Sequence, residues 1–204
     1  MALPARKLNT EAEYLEFEQA QESRHEFVNG EIIAMSGCSD SHGTISMNLT
    51  LAIGLALKGR KCRPLSSDFR VCIDETGLYC YPDLTVVCGP KALTPQNPPS
   101  LLNPTVLIEV LSESTESYDR GAKFEHYRRC ASVQCVLFID SRRRAITCNT
   151  RNPDGSWTLV DIHEGTVAIE VLGLTLTLDE IYEGAEGVQG WGIVSVEPRP
   201  PTGI

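Results

Sequence analysis

The chain has 204 residues, 42% of them hydrophobic and 22% charged, with 12 Pro and 16 Gly, which excludes disordered and collagen-like classes and points to one compact domain. At this length a folded chain hides roughly 70% of the surface its unfolded form exposes, so the core needs no disulfide or structural metal. The net charge of −9 argues against tight, non-specific attraction to nucleic acid phosphates.

No apolar run is long enough to cross a bilayer, and the start, Met1-Ala2-Leu3-Pro4-Ala5-Arg6-Lys7, lacks the apolar stretch of a signal peptide. The expectation is a cytoplasmic protein without membrane contact. None of the eight cysteines forms a C-x-x-C pair, so all are read as reduced packing residues. Residues 120–144 form a local basic segment, with Arg120, Lys123, Arg128, Arg129 and Arg142 to Arg144 against Glu125 and Asp140. A solvated helix face and an exposed turn explain it as well as a binding surface does.

The predicted elements run as helix, hairpin, helix, three strands, helix, strand, hairpin. Residues 10–22 make a short helix that Thr10 can cap. His25-Glu26-Phe27-Val28 and Glu31-Ile32-Ile33-Ala34 flank Asn29-Gly30, the dipeptide suited to a two-residue turn. From Ser41 to Lys58, Ile45, Leu49, Ala52, Ile53 and Ala56 recur at three and four, an amphipathic helix capped by Asp40 or Ser41 and ended near Gly59.

Three strand-like runs follow: Arg70 to Ile73, Tyr79 to Cys88 and Thr105 to Leu111, the last apolar enough to be buried on both faces. The proline-rich stretch from Pro90 to Pro104 reads as a surface loop. Residues 117–131 carry Phe124, Tyr127 and Ala131 on one helical stripe, and Val133 to Ile139 is a further strand. Ala145 to Thr150 and Trp157 to Ile162 form a second hairpin around Asn152-Pro153-Asp154-Gly155. A single domain over residues 1–197 with a mobile tail at 198–204 is expected.

Glu109 carries the chemical argument. It lies within Val-Leu-Ile-Glu-Val-Leu, where an ionised carboxylate is costly without a partner cation or metal. Strand alternation puts Glu109 with Leu107 and Thr105, and Asp83 with Thr85 and Val87. If the two strands pair, the carboxylates converge, and hard oxygen ligands suit magnesium or manganese. Pro82 lacks an amide hydrogen and loosens the ladder just before Asp83. Lys123, in the first turns of the next helix, supplies an ammonium able to orient or stabilise an attacking hydroxide. A purely structural Glu109 would take Arg70 or Arg120 instead.

Tyr81-Pro82-Asp83-Leu84, Ile108-Glu109-Val110-Leu111-Ser112, Ser114-Thr115 and Asp119-Arg120-x-x-Lys123-x-x-x-Tyr127 together resemble the Uma-two family, over a stretch from the Asn29-Gly30 hairpin to about Asp140 plus the opening helix. That family is assigned to the PD-(D/E)xK, restriction-endonuclease-like fold, an α/β core whose central mixed sheet is flanked by helices and whose carboxylates bind Mg²⁺. The resemblance implies that Pro82-Asp83 is the PD element, that Glu109 is the second acidic position, and that the substrate is a phosphodiester, with DNA expected. Leu111 stands where the family pattern of E-x-K has lysine, so Lys123 is taken as the migrated base.

His42, in the first turn of the long helix, is a further candidate that can reach the cleft, against the alternative of a core-edge histidine. Glu26 and Asp68 are further acidic candidates, since a Glu upstream of the PD element assists metal binding in some members of the wider fold class; both read better as surface or turn residues. Two other readings differ in class. One is a nuclease-fold module that binds nucleic acid or protein with little cleavage. The other is an assembly protein forming a homodimer through the apolar segment Val167 to Leu178, which reads equally as core.

Overall fold

In a computed structural model, residues 9–35 and 37–185 are described; the tail expected at 198–204 lies outside them. The chain opens with α1 (Glu11–Gln19), where Thr10 and Glu13 form a reciprocal capping box. The β1 (His25–Val28) and β2 (Glu31–Ala34) hairpin turns through Asn29 and Gly30, both at positive φ (50° and 82°), as a two-residue turn of this type requires. Helix α2 (Asp40–Ala56) is capped by Ser39, whose hydroxyl accepts from the His42 amide, one residue before the expected Asp40 or Ser41.

After α2 come β3 (Cys62–Ser66), β4 (Val71–Ile73), β5 (Leu78–Cys80), β6 (Leu84–Cys88) and β7 (Val106–Leu111). Strand β3 was not foreseen, because Pro64 argues against a strand. As the last member of its sheet it tolerates proline, which only an edge position allows. The helical segment 116–129 comprises α3 (Glu116–Tyr118), a π turn over Asp119–Lys123 and α4 (Phe124–Arg129). Strands β8 (Cys135–Asp140), β9 (Ile146–Arg151), β10 (Trp157–Ile162), β11 (Thr166–Ile169) and β12 (Leu174–Thr177), then α5 (Leu178–Tyr182), complete the order.

The central sheet has six strands in the order β10-β9-β8-β7-β6-β3 and is mixed, with β7 and β8 parallel. Every residue of β7 and β8 is buried, as their apolar runs predict for strands covered on both faces. On one face Leu84, Val86, Ile108 and Val110 pack against Ile45, Leu49 and Ile53 of α2. On the other, Val87, Leu107, Leu111 and Phe138 meet Tyr127 of α4 and the four-stranded sheet β2-β1-β5-β4.

Two expectations need correction, and one open alternative closes. The run Tyr79 to Cys88 is two strands in two different sheets, because Tyr81-Pro82-Asp83 interrupts the ladder where Pro82 has no amide to donate. Cys62 and Cys88, directly opposite in the β3–β6 register, form a disulfide rather than two reduced thiols. Of the two readings of Val167 to Leu178, core is the one found: Val167, Ile169, Leu174, Leu176 and Leu178 are buried on the inward side of the β11–β12 hairpin and the start of α5. No helix among the described residues is long and apolar enough to cross a membrane.

Candidate active site

The break after β5 shapes the site. Strands β6 and β7 pair with Leu84 opposite Ile108, so one step further along the same register Asp83 falls opposite Glu109. The ladder does not continue there. Asp83 instead turns its carboxylate onto the main chain, with Oδ2 accepting from the Val110 amide at 2.7 Å. This satisfies a backbone donor that the missing strand pairing would orphan, and it fixes one oxygen of the aspartate. The other, Oδ1, lies 3.3 Å from His42 Nε2 in the first turn of α2.

Glu109 points from the middle of the buried β7 into the layer beneath α4. Lys123 closes the π turn and is itself buried, its side chain 5% exposed. Its Nζ lies 2.8 Å from Glu26 Oε1, 3.0 Å from Glu109 Oε1 and 3.3 Å from Asp119 Oδ1. Tyr127, one helical turn beyond Lys123, donates its hydroxyl to the same Glu109 Oε1, and the tyrosine oxygen sits 3.6 Å from Cys80 Sγ. Five elements thus meet: β1 brings Glu26, the β5–β6 break Asp83, β7 Glu109, α2 His42, and the π turn with α4 the lysine and tyrosine.

The electrostatics are unbalanced. Three carboxylates surround one ammonium, all four side chains nearly removed from water. Burial pushes the Glu109 carboxyl well above the usual carboxylate range, and Lys123 offsets only part of this while Asp119, Asp83 and Glu26 add to it. Asp119 is pushed up for the same reason, again with Lys123 opposing. Burial alone would lower the Lys123 pKa, but Glu109, Glu26 and Asp119 outweigh it and hold the amine firmly as an ammonium. His42 is also pushed up, because the hydrogen bond and charge of Asp83 exceed the cost of its burial.

All four sequence candidates, Asp83, Glu109, Lys123 and His42, therefore gather at the break in the sheet. Glu26 is a correction: it is buried in the cluster rather than on the surface. The signal was present, since Glu26 shares a strand face with Val28, which belongs to the core. Asp68 does lie at the surface, paired with Arg24. Neither arginine weighed as a partner of Glu109 takes that part. Arg70 binds Ser100 and the Pro98 carbonyl, and Arg120 binds Glu116 and Thr147. Asp119 was visible only as a letter in a motif and Tyr127 as one residue of an apolar helical stripe; their contacts with Lys123 and Glu109 follow from where the helical segment packs against β7.

Among the described residues, no three His, Cys, Asp or Glu side chains converge as a ready-made metal cage. What the site offers is a pair of hard carboxylates, Asp83 and Glu109, beside a surplus of buried negative charge. That donor set fits a magnesium-like cation, which keeps several waters and takes one or two carboxylates plus substrate phosphate, and it does not fit zinc.

Known proteins resemble this chain in sequence and in fold. The uncharacterized protein slr1290 of Synechocystis sp. is 35% identical over 182 residues, covering 89% of this chain and 94% of that one. A second Synechocystis protein, the uncharacterized sll1609, is 31% identical over 170 residues, covering 83% and 96%. A crystal structure from Anabaena variabilis, titled as a putative nuclease belonging to DUF820, superposes with a TM-score of 0.68 at 18% identity, covering 85% of this chain and 97% of that one. The likeness establishes the restriction-endonuclease-like α/β fold. Residues 11–179 match the Uma2 family model, described as "Putative restriction endonuclease", and the chain belongs to that family.

Proposed function

We propose that the protein is a metal-dependent nuclease that hydrolyses phosphodiester bonds in DNA, with Mg²⁺ held by Asp83 and Glu109 and with Mn²⁺ as a substitute. The observation that carries this reading is the meeting of Asp83, Glu109 and Lys123 at one break in the sheet, with three carboxylates facing a single ammonium. Burying that much unbalanced charge is expensive, and a divalent cation offsets it in the way a structural ion pair does not.

When bound there, the cation supplies Lewis-acid polarisation of a phosphoryl oxygen and a lowered pKa for water. The chain's own groups do the rest. Lys123, held as an ammonium, acts through its charge rather than as a base: it holds the Glu109 carboxylate and stabilises the negative charge that grows on the phosphate. Glu26 and Asp119 keep Nζ aimed, while the Val110 amide and His42 keep the Asp83 carboxylate from rotating. A cytoplasmic setting belongs to the same reading.

A second reading, a nuclease-fold module that binds without cutting, draws on one observation. Lys123 is already enclosed by three carboxylates, an arrangement that also serves purely structural ion-pair clusters. Plasmid nicking with Mg²⁺ or Mn²⁺ separates the two. Activity in the natural chain that disappears in both Asp83→Ala and Lys123→Ala supports the nuclease; equal background in all three supports the binding module.

A further inference from the structure

We infer that Tyr127 is a positioning residue for Glu109: its hydroxyl and the Lys123 ammonium together occupy Oε1, turning Oε2 toward the place where a cation and the phosphate would sit. The inference rests on the nuclease reading for its consequence, though not for its geometry. Tyr127 is fully buried, and its hydroxyl donates to Glu109 Oε1, the oxygen that also lies 3.0 Å from Lys123 Nζ. Asp119, Lys123 and Tyr127 stand four residues apart, on one stripe of the helical segment that begins at the π turn. Single π turns of this kind re-aim a helix face, and here the face is aimed at one carboxylate oxygen.

A carboxylate in the middle of a strand can rotate about its last bond and present either oxygen. Two donors on one oxygen remove that freedom, and a ligand group fixed before the cation arrives binds it at lower entropic cost. Among the described residues, the other polar neighbour of the Tyr127 hydroxyl is Cys80 Sγ at 3.6 Å, a weak partner that gives the residue no separate task.

The test uses the full chain and Mn²⁺ alone as probe, with binding followed by the loss of the free-ion electron paramagnetic resonance signal. Tyr127→Phe keeps the ring and removes the donor. The expected result is a dissociation constant for Mn²⁺ raised about tenfold and kcat lowered about tenfold with KM for DNA unchanged, tenfold being the size of one positioned hydrogen bond. Cys80→Ala removes the other contact and leaves both quantities at their natural values. 4-Aminophenylalanine at position 127, which keeps a para donor, restores Mn²⁺ affinity; 4-methylphenylalanine, of similar bulk without a donor, does not.

A donor-free variant that binds Mn²⁺ as tightly as the natural chain overturns the inference, as does one that does not fold, which would make Tyr127 a stability residue. Failure of the nuclease reading looks different. The natural chain then cuts no DNA with any divalent metal, while the effect of Tyr127 on Mn²⁺ binding is still read directly.

Discussion

The Lys123 cluster and the arginine cluster at the end of β8 are built from the same side-chain chemistry with opposite stoichiometry. In the first, one buried ammonium faces Glu26, Glu109 and Asp119. In the second, Arg142 and Arg143 both bind Asp140, at 2.9 and 2.8 Å, and Glu116 takes Arg142 and, at 3.0 Å, Arg120. The arginines are open to water, with Arg143 68% exposed. The carboxyls respond in opposite directions. Hydrogen bonds from Arg142 hold Glu116 below the usual carboxylate range, and Asp140 is lowered as well, its burial outweighed by Arg142 and Arg143. Burial drives Glu109 and Asp119 up. A surplus of cations at the surface closes its own account in water, whereas a surplus of carboxylates in the interior leaves a deficit that a proton or an added cation must answer.

The difference can be broken most severely at Lys123. Lys123→Met leaves buried carboxylates unpaired and is expected to cost about 3–5 kcal/mol in urea denaturation at neutral pH, besides abolishing cleavage. A loss below about 1 kcal/mol would mean that the cluster is wetter and less coupled than its burial indicates.

Added cation should then act on one cluster alone. Mn²⁺ at a hundred times its dissociation constant is expected to stabilise the natural chain by about 2.7 kcal/mol, read as a raised melting temperature. Asp83→Ala loses this gain, while Arg142→Gln keeps it. At the arginine cluster itself the effect is small: Glu116→Gln should change stability by about 1 kcal/mol or less, because its partners are solvated and their pairing is screened.

The two clusters also carry opposite pH signatures. Glu116 and Asp140, with lowered folded values, contribute stability above their unfolded values near roughly 4, and this is lost as pH falls through the folded values. Glu109 and Asp119, with raised folded values, contribute below their unfolded values, and this is lost as pH rises through the folded ones. Urea midpoints followed across pH should therefore show Glu116→Gln flattening the acid limb and Glu109→Gln flattening the loss toward neutral pH. The same limb flattened by both substitutions would remove the contrast.

Much of this was legible in the chain. The near-continuous apolar runs of β7 and β8 announce a sheet covered on both faces, and a lone glutamate inside one of them requires a partner, which makes Glu109 readable. Pro82 marks the break that positions Asp83. Other features depend on contacts that sequence periodicity cannot express. β3 is hidden by Pro64 until the sheet edge is known. The Cys62–Cys88 disulfide depends on the β3–β6 register. Alternation with Val28 turns Glu26 inward, but that it reaches this site follows from β1 pairing with β5, Phe27 opposite Tyr79. The basic segment fits the solvated-turn reading: Arg120, Arg142, Arg143 and Arg144 are partly or largely exposed and paired with Glu116, Asp140 and Asp179.

Anomalous diffraction from a crystal soaked in Mn²⁺ bears most directly on the central claim. The account predicts a peak within coordination distance of one Asp83 oxygen and of Glu109 Oε2, with Lys123 still on Oε1. Density that leaves both carboxylates as they are, with no peak between them at a Mn²⁺ concentration that supports cleavage, would contradict it.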